Sequence, residues 1–476
     1  MRRIISRLRH SMRRSASSTQ DPTPDPSLSA AAAQVGPHST SSQSKGAALV
    51  PVSEDPGRKL NGDIIYRNAP VEDLPPEVRH HLLSMLELET LKALLYASPV
   101  YHQQYLLARK RLLCESLETT LRSATIDAYA VYQSGLADFL HSRTKEKVNM
   151  FLQSYQDQRG LYPYSIPSEM CGIDELVDLA ASYFSIVKPL AQYYTSWALG
   201  NLAAETDKPR SDEPLSKMEE TRLIRALYRF QLCCNLFGVG CHKSSQIQRL
   251  SFDSVEIGTI FLDLFEPWEV EEICCIYTFA KERYNQIFND IRWDVHEENP
   301  KFEGQRPPTP EGAFDLDNSW IRDSLLKGTI SCGLDLLHMV IFEIKDHTHL
   351  VTTMQQHISW PTGNFLEGEA LGESAQSQRR QEHPSNRDLR QERRDPLPFQ
   401  GDEVPDTNGV RPPLAWTLIW RGSYSNLYGY YVQDVIRRWG YIMWDATRLD
   451  RTGAKELLAR QWEADWGDTD PRDNLL

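Results

Sequence analysis

The chain has 476 residues, with 52 Lys or Arg against 65 Asp or Glu, and the net charge of −13 argues against a nucleic-acid binder with a basic face. Apolar residues make up 40 % and aromatics 10 %, enough for a sizeable core, while the length sets a prior of roughly three domains. No stretch reaches about 18 consecutive apolar residues, so no membrane-spanning helix is expected. In chain order, Met1, Ile4, Ile5, Leu8 and Met12 make one helical stripe ringed by Arg2, Arg3, Arg7, Arg9, Arg13 and Arg14. That pattern fits a mitochondrial presequence, a basic nuclear signal, an anionic membrane contact, or a tail with no import role, the last being the first reading. Cytoplasm or nucleus is the expected location, with the mitochondrion, through residues 1–14, as the alternative. Residues 15–57 are mostly Ser, Ala, Pro, Thr and Gln, and no aromatic precedes Tyr66. Residues 1–70 are therefore expected to be disordered, because too little apolar surface is on offer to offset an ordering cost of ~1–2 kcal/mol per residue.

Residues 73–113 read DLPPEVRHHLLSMLELETLKALLYASPVYHQQYLLARKRLL. Pro75 and Pro76 fix the chain as it enters a helix, where a missing N–H costs little. Three short apolar helices in so few residues cannot close a sufficient core alone, so they dock on a partner or cap a larger body. On Leu74-Pro75, Val78, Leu82, Leu86, then Leu91, Leu94 and Leu95, then Ser98 and Tyr101, the segment resembles the F-box. The family often has Arg and Trp near the start of its third helix, where this chain has Pro99 and Tyr101. The resemblance implies docking on a Skp-type adaptor, and through it a cullin, as a substrate receptor of a ubiquitin ligase. It points to Leu74, Pro75, Val78, Leu82, Leu86, Leu91 and Leu94 as adaptor contacts, although the same residues equally suit a local core.

Beyond this head (71–115), helical periodicity dominates a body over 116–366. Leu223, Leu227, Phe230, Cys234 and Phe237 recur in 217–240, and Ile273, Ala280, Tyr284, Ile287 and Ile291 in 267–291. Glu266, Glu269, Glu271 and Glu272 read as acids complementing a positive helix start. Further helices are expected near 100–146, 173–204, 318–332, 334–357, 424–439 and 453–464. Residues 367–411, rich in Gln, Arg, Glu, Asp and Pro, read as a disordered linker, and 412–476 as an aromatic-rich helical tail packing on the body. The fold expected is all-α, a three-helix head on an irregular multi-helix body. The segments FEPWEVEEICCIYTFAKERY (265–284), RALYRFQLCCNLFG (225–238) and RRWGYIMWDATRL (437–449) resemble a group of filamentous-fungal proteins with an F-box-like head and no established activity.

Other constellations point to structure rather than chemistry. Asp335/His338 and Asp346/His349 fall on nearly one helix face, but 11 residues rise about 16 Å, beyond the reach of one ion, so no metal site is expected. The eight cysteines include no CxxC, and Cys233-Cys234 and Cys274-Cys275 read as core thiols. Tyr424, Tyr428, Tyr431 and Val435 share helical spacing and read as core. No GxxxxGK[ST], GxGxxG, GxSxG or HExxH occurs. A non-catalytic interaction protein without a cofactor, a receptor for an unknown target protein, is the expectation. A helical scaffold with no ubiquitin connection is the alternative.

Overall fold

In a computed structural model, residues 71–161, 165–166, 171–209, 212–239, 252–305, 310–361, 366, 371–397, 399 and 411–475 are described. Among them the chain is helix and turn throughout, with no sheet and one isolated antiparallel bridge between Pro396 and Ser423. The all-α expectation holds there, while the Arg-rich start and the rest of residues 1–70 lie outside the described residues. The chain divides into units 1–79 and 80–476. In the first, Arg79 donates its backbone N–H to Pro75 and its Nη1 to the Glu72 carbonyl at 2.9 Å, fixing the approach to helix α1 (Pro76–Ser84).

The second unit continues with α2 (Leu88–Ala97), α3 (Pro99–Leu107), α4 (Arg109–Leu121) and α5 (Thr125–Ser134). After α6 (Lys145–Leu161) comes α7 (Ile173–Ser182), a π-helical turn at Tyr183–Val187 and α8 (Lys188–Thr206). The expected helix over 100–146 is thus several shorter ones, broken where Arg122 takes a positive φ. Helix α9 (Lys217–Phe237) starts at a capping box, Ser216 accepting from the Glu219 amide and Glu219 from the Ser216 amide. It packs against both α5 and α10 (Pro267–Ile291). Because α9 is covered on nearly every face, its apolar period extends all the way round, as expected of a central core helix.

Helix α10 buries acids read as complementing its positive start. Glu269, Glu271 and Glu272 are all buried. Glu272 takes a forked pair from Arg225, with Nε at 2.9 Å, and Glu269 lies 2.8 Å from Arg229 Nη1 and 3.2 Å from Arg225 Nη1. Arg229 also donates to Asp127 at 3.1 Å, and Asp127 accepts from the Tyr155 hydroxyl. Glu271 accepts both forks of Arg437 at 2.9 Å, the Gly429 amide at 2.7 Å and the Tyr441 hydroxyl at 3.2 Å. A macrodipole favours acids near a helix start by well under about 1 kcal/mol at an exposed site, whereas a buried carboxylate without a partner costs several, so these acids demand arginines. Burial pushes the Glu269 carboxyl up, but Arg229, Arg225 and Arg159 outweigh it and hold the group well below the carboxylate range.

Helices α11 (Ser319–Ile330) and α12 (Leu334–His338) follow, then a π-turn at Met339–Glu343 and α13 (His347–His357). The single helix expected over 334–357 is broken at 344–346, where Asp346 turns its side chain onto the His349 amide as an N-cap. The stretch expected as a linker holds α14 (Glu373–Glu382) and α15 (Asn386–Glu392). What orders so polar a segment is again charge pairing. Arg379, buried, forks onto Asp388 at 2.8 and 3.1 Å and reaches Asp263 at 3.4 Å, while Gln376 donates to the Tyr428 carbonyl and Gln391 accepts the Asn426 amide. Residues 400–410 lie outside the described residues.

The tail holds α16 (Leu414–Ile419), α17 (Ala446–Thr452) and α18 (Ala454–Trp466). Residues 424–439 are not the expected helix. They run irregularly through a 3-10 turn at Gly429–Tyr431 to the short helix Asp434–Arg437. Gly429 sits at φ +65°, and a Cβ there would stand 2.5 Å from the Leu371 carbonyl. Its N–H is taken by Glu271, so a long-range partner overrides the local period. Tyr424, Tyr428 and Tyr431 are nevertheless core, as are Trp416, Trp420, Trp439 and Trp444.

Candidate docking face on the N-terminal helices

The Ser-x-x-aromatic motif works as a cap. Ser98 accepts the Tyr101 amide at 3.4 Å, and Pro99 occupies the first helical position of α3, where its missing N–H is an orphan in any case. Tyr101, Leu83, Leu88 and Leu91 are buried and make the inner side. Helix α2 is fastened to the rest of its unit: Thr120 Oγ1 accepts the Leu88 amide at 2.8 Å, Lys217 pairs with Glu87 at 2.6 Å, and Lys92 Nζ lies 4.9 Å from the centre of the Phe184 ring.

Of the residues singled out from sequence, Leu91 is buried. Leu82, Leu86 and Leu94 are half-buried. In the first unit Leu74 is half-buried, and Pro75 and Val78 are exposed, Val78 by 45 %. Sequence reasoning passed over the most uncovered apolar side chains of the second unit's head, Met85 (56 %), Tyr96 (74 %) and Leu107 (83 %). The helical period marks the inner stripe well, and these three lie off it. The head therefore keeps one apolar set inside and leaves other apolar side chains in water, as it does Glu89, Thr90 and Lys92.

Other candidate chemistry resolves into structure. Asp335/His338 and Asp346/His349 sit on two separate helices, with His338 Nδ1 3.3 Å from Glu343. The ligand atoms of His296, Asp315 and Asp317 lie within 4.8 Å of one another, yet Arg292 already pairs with Asp317 at 3.0 Å and Asp315 accepts the Asp317 and Asn318 amides. A cation there would compete with a guanidinium. The seven described cysteines are buried thiols. Burial pushes the thiols of Cys233, Cys274 and Cys275 upward, away from the reactive thiolate, and takes Cys114 and Cys171 up to about 12. Arg437, flanking Trp439, is spent on Glu271 rather than offered to a ligand.

Compared with protein-family models, with curated proteins and with solved structures, the chain matches none.

Proposed function

We propose that this chain is a non-catalytic interaction protein whose N-terminal head docks a Skp-type adaptor, making it a substrate receptor of a cullin ubiquitin ligase. The observation that supports this is the apolar exposure of the head: Met85, Tyr96 and Leu107 are uncovered, and Leu82, Leu86 and Leu94 are only half-buried. Large apolar side chains left in water on one short helical segment are what a docking partner would cover. The chemistry is proximity, since a target held on the body gains effective concentration at the ligase without any bond made by this chain.

Affinity purification from cells tests it, comparing wild type with Met85→Asp/Tyr96→Asp. These substitutions leave the buried layer of Leu83, Leu88 and Leu91 intact. Adaptor and cullin are expected with the wild type and lost with the variant at unchanged helical content by circular dichroism. Leu74→Ala/Pro75→Ala, made separately, asks what the preceding segment contributes. Absence of adaptor and cullin from the wild-type sample favours the helical scaffold without a ubiquitin connection.

A further inference from the structure

A cavity of about 240 Å³ opens into the second unit between α5, α9, the π-turn Tyr183–Val187 and the start of α12. Its floor is buried and consists of Tyr228, Cys234, Val187, Cys332 and Leu334, while Leu136 and Asp335 at its mouth are exposed. The π-turn Tyr183–Val187 supplies Ile186 and Val187 to its wall, and α12, which supplies Leu334 and Asp335, runs directly into the other π-turn, Met339–Glu343. A π-turn inserts a residue into a helix at a cost in regular hydrogen bonding, and such turns recur at functional sites. Among the described residues, both π-turns belong to the walls of this cavity or to helices that form them.

The wall is held in place. Gln231 accepts the Leu334 amide at 2.6 Å and donates to Asn235 at 2.7 Å, and Asn235 donates onward to the Val131 carbonyl and Ser134. Gly333, at φ +84°, makes room for this, because a Cβ there would stand 2.5 Å from the Gln231 amide oxygen. One buried donor of the lining remains unspent among the described residues: the hydroxyl of Tyr228, which is without a partner. No Lys or Arg lines the cavity, and its one charged residue is Asp335 at the mouth.

We infer that the cavity binds a small, neutral, largely apolar molecule bearing a hydrogen-bond acceptor, of the size class of an aromatic ketone. A closed apolar cavity of about 150 Å³ is already enough to take benzene, and a few placed polar groups in an apolar lining are how such sites orient a ligand. Anions are disfavoured by Asp335 and by the lack of a cation. The inference is independent of adaptor docking by the head.

The full chain is titrated with acetophenone and, as the charged counterpart, benzoate, each followed by saturation-transfer NMR. Acetophenone is expected to bind saturably and benzoate at least tenfold more weakly. Leu136→Trp, at an exposed position of the mouth, is expected to weaken acetophenone at least tenfold with the helical signal unchanged, and Val187→Phe fills the floor as a second variant. No saturable acetophenone binding, equal binding of benzoate, or unaltered binding by a folded variant overturns the proposal. Should both variants lose their helical signal, the wild-type comparison of the two probes decides.

Discussion

Helices α1 to α3 and helices α14 and α15 invert the usual link between composition and burial. The head is apolar and leaves Met85, Tyr96 and Leu107 in water. The segment carrying Arg379, Asp388 and Gln391 is among the most polar in the chain, yet it sends Arg379 and Gln391 inside. The difference lies in partners. In the second segment Arg379 meets the carboxylates of Asp388 and Asp263, and Gln391 meets the Asn426 amide, whereas Met85, Tyr96 and Leu107 of the head are left largely uncovered by the second unit. A region fully supplied with internal partners reads as structure, and a region left short of them reads as an invitation to another protein.

The largest effect expected is in the paired segment. Arg379→Ala strands Asp388 and Asp263 in low dielectric, and breaking a buried pair from one side costs about 3–5 kcal/mol. Urea unfolding checks this, and a loss under about 1 kcal/mol would mean that solvent reaches the pair. Leu83→Ala, on the inner layer of the head, is expected to cost about 2–4 kcal/mol by the cavity it leaves. By contrast Met85→Asp, at an exposed position of the head, should stay within about 0.5 kcal/mol of wild type, as surface changes do. That contrast within one head, measured in one denaturant series, separates its buried apolar set from its exposed one.

Acid and base should act oppositely on the two aspartates beside Arg379. Burial raises Asp263 to about 6 against the pull of Arg379 and Arg387. Its contribution to stability is complete below its ordinary value and is lost as pH rises through about 6, by up to about 3 kcal/mol. Burial also pushes Asp388 upward, but Arg379, the Ser385 amide and Asn426 outweigh it and hold the group at about 2. Its contribution is complete above the ordinary carboxylate value and fades as pH falls toward 2. Asp263→Asn should therefore flatten the decline between pH 4 and 7, and leave the acid limb in place. A smaller effect is expected at Ser98→Ala, which removes the cap of α3 and costs about 1 kcal/mol.

How much of this was legible depended on the distance over which each cause acts. The Ser98 cap, Pro99 and the inner leucines follow from neighbours within a few residues, and so did the central helices Lys217–Phe237 and Pro267–Ile291. The order of 373–392 did not, because Arg379 finds Asp263 116 residues away and Gln376 finds Tyr428 52 residues away. The false helix over 424–439 has the same origin: tyrosines at helical spacing are held in an irregular path by Glu271, 158 residues before Gly429. At the head, period identified the buried stripe but carries no information about what remains uncovered. Exposure of Tyr96 and Leu107 is a property of the packed unit, and only the packed unit displays it.

The most direct test of the account is a pull-down with the full chain, reading adaptor and cullin by quantitative mass spectrometry for wild type and for Met85→Asp/Tyr96→Asp at matched helical content. Both partners are expected with the wild type and reduced at least tenfold with the variant. Equal recovery from the two, or recovery from neither, contradicts docking through this face.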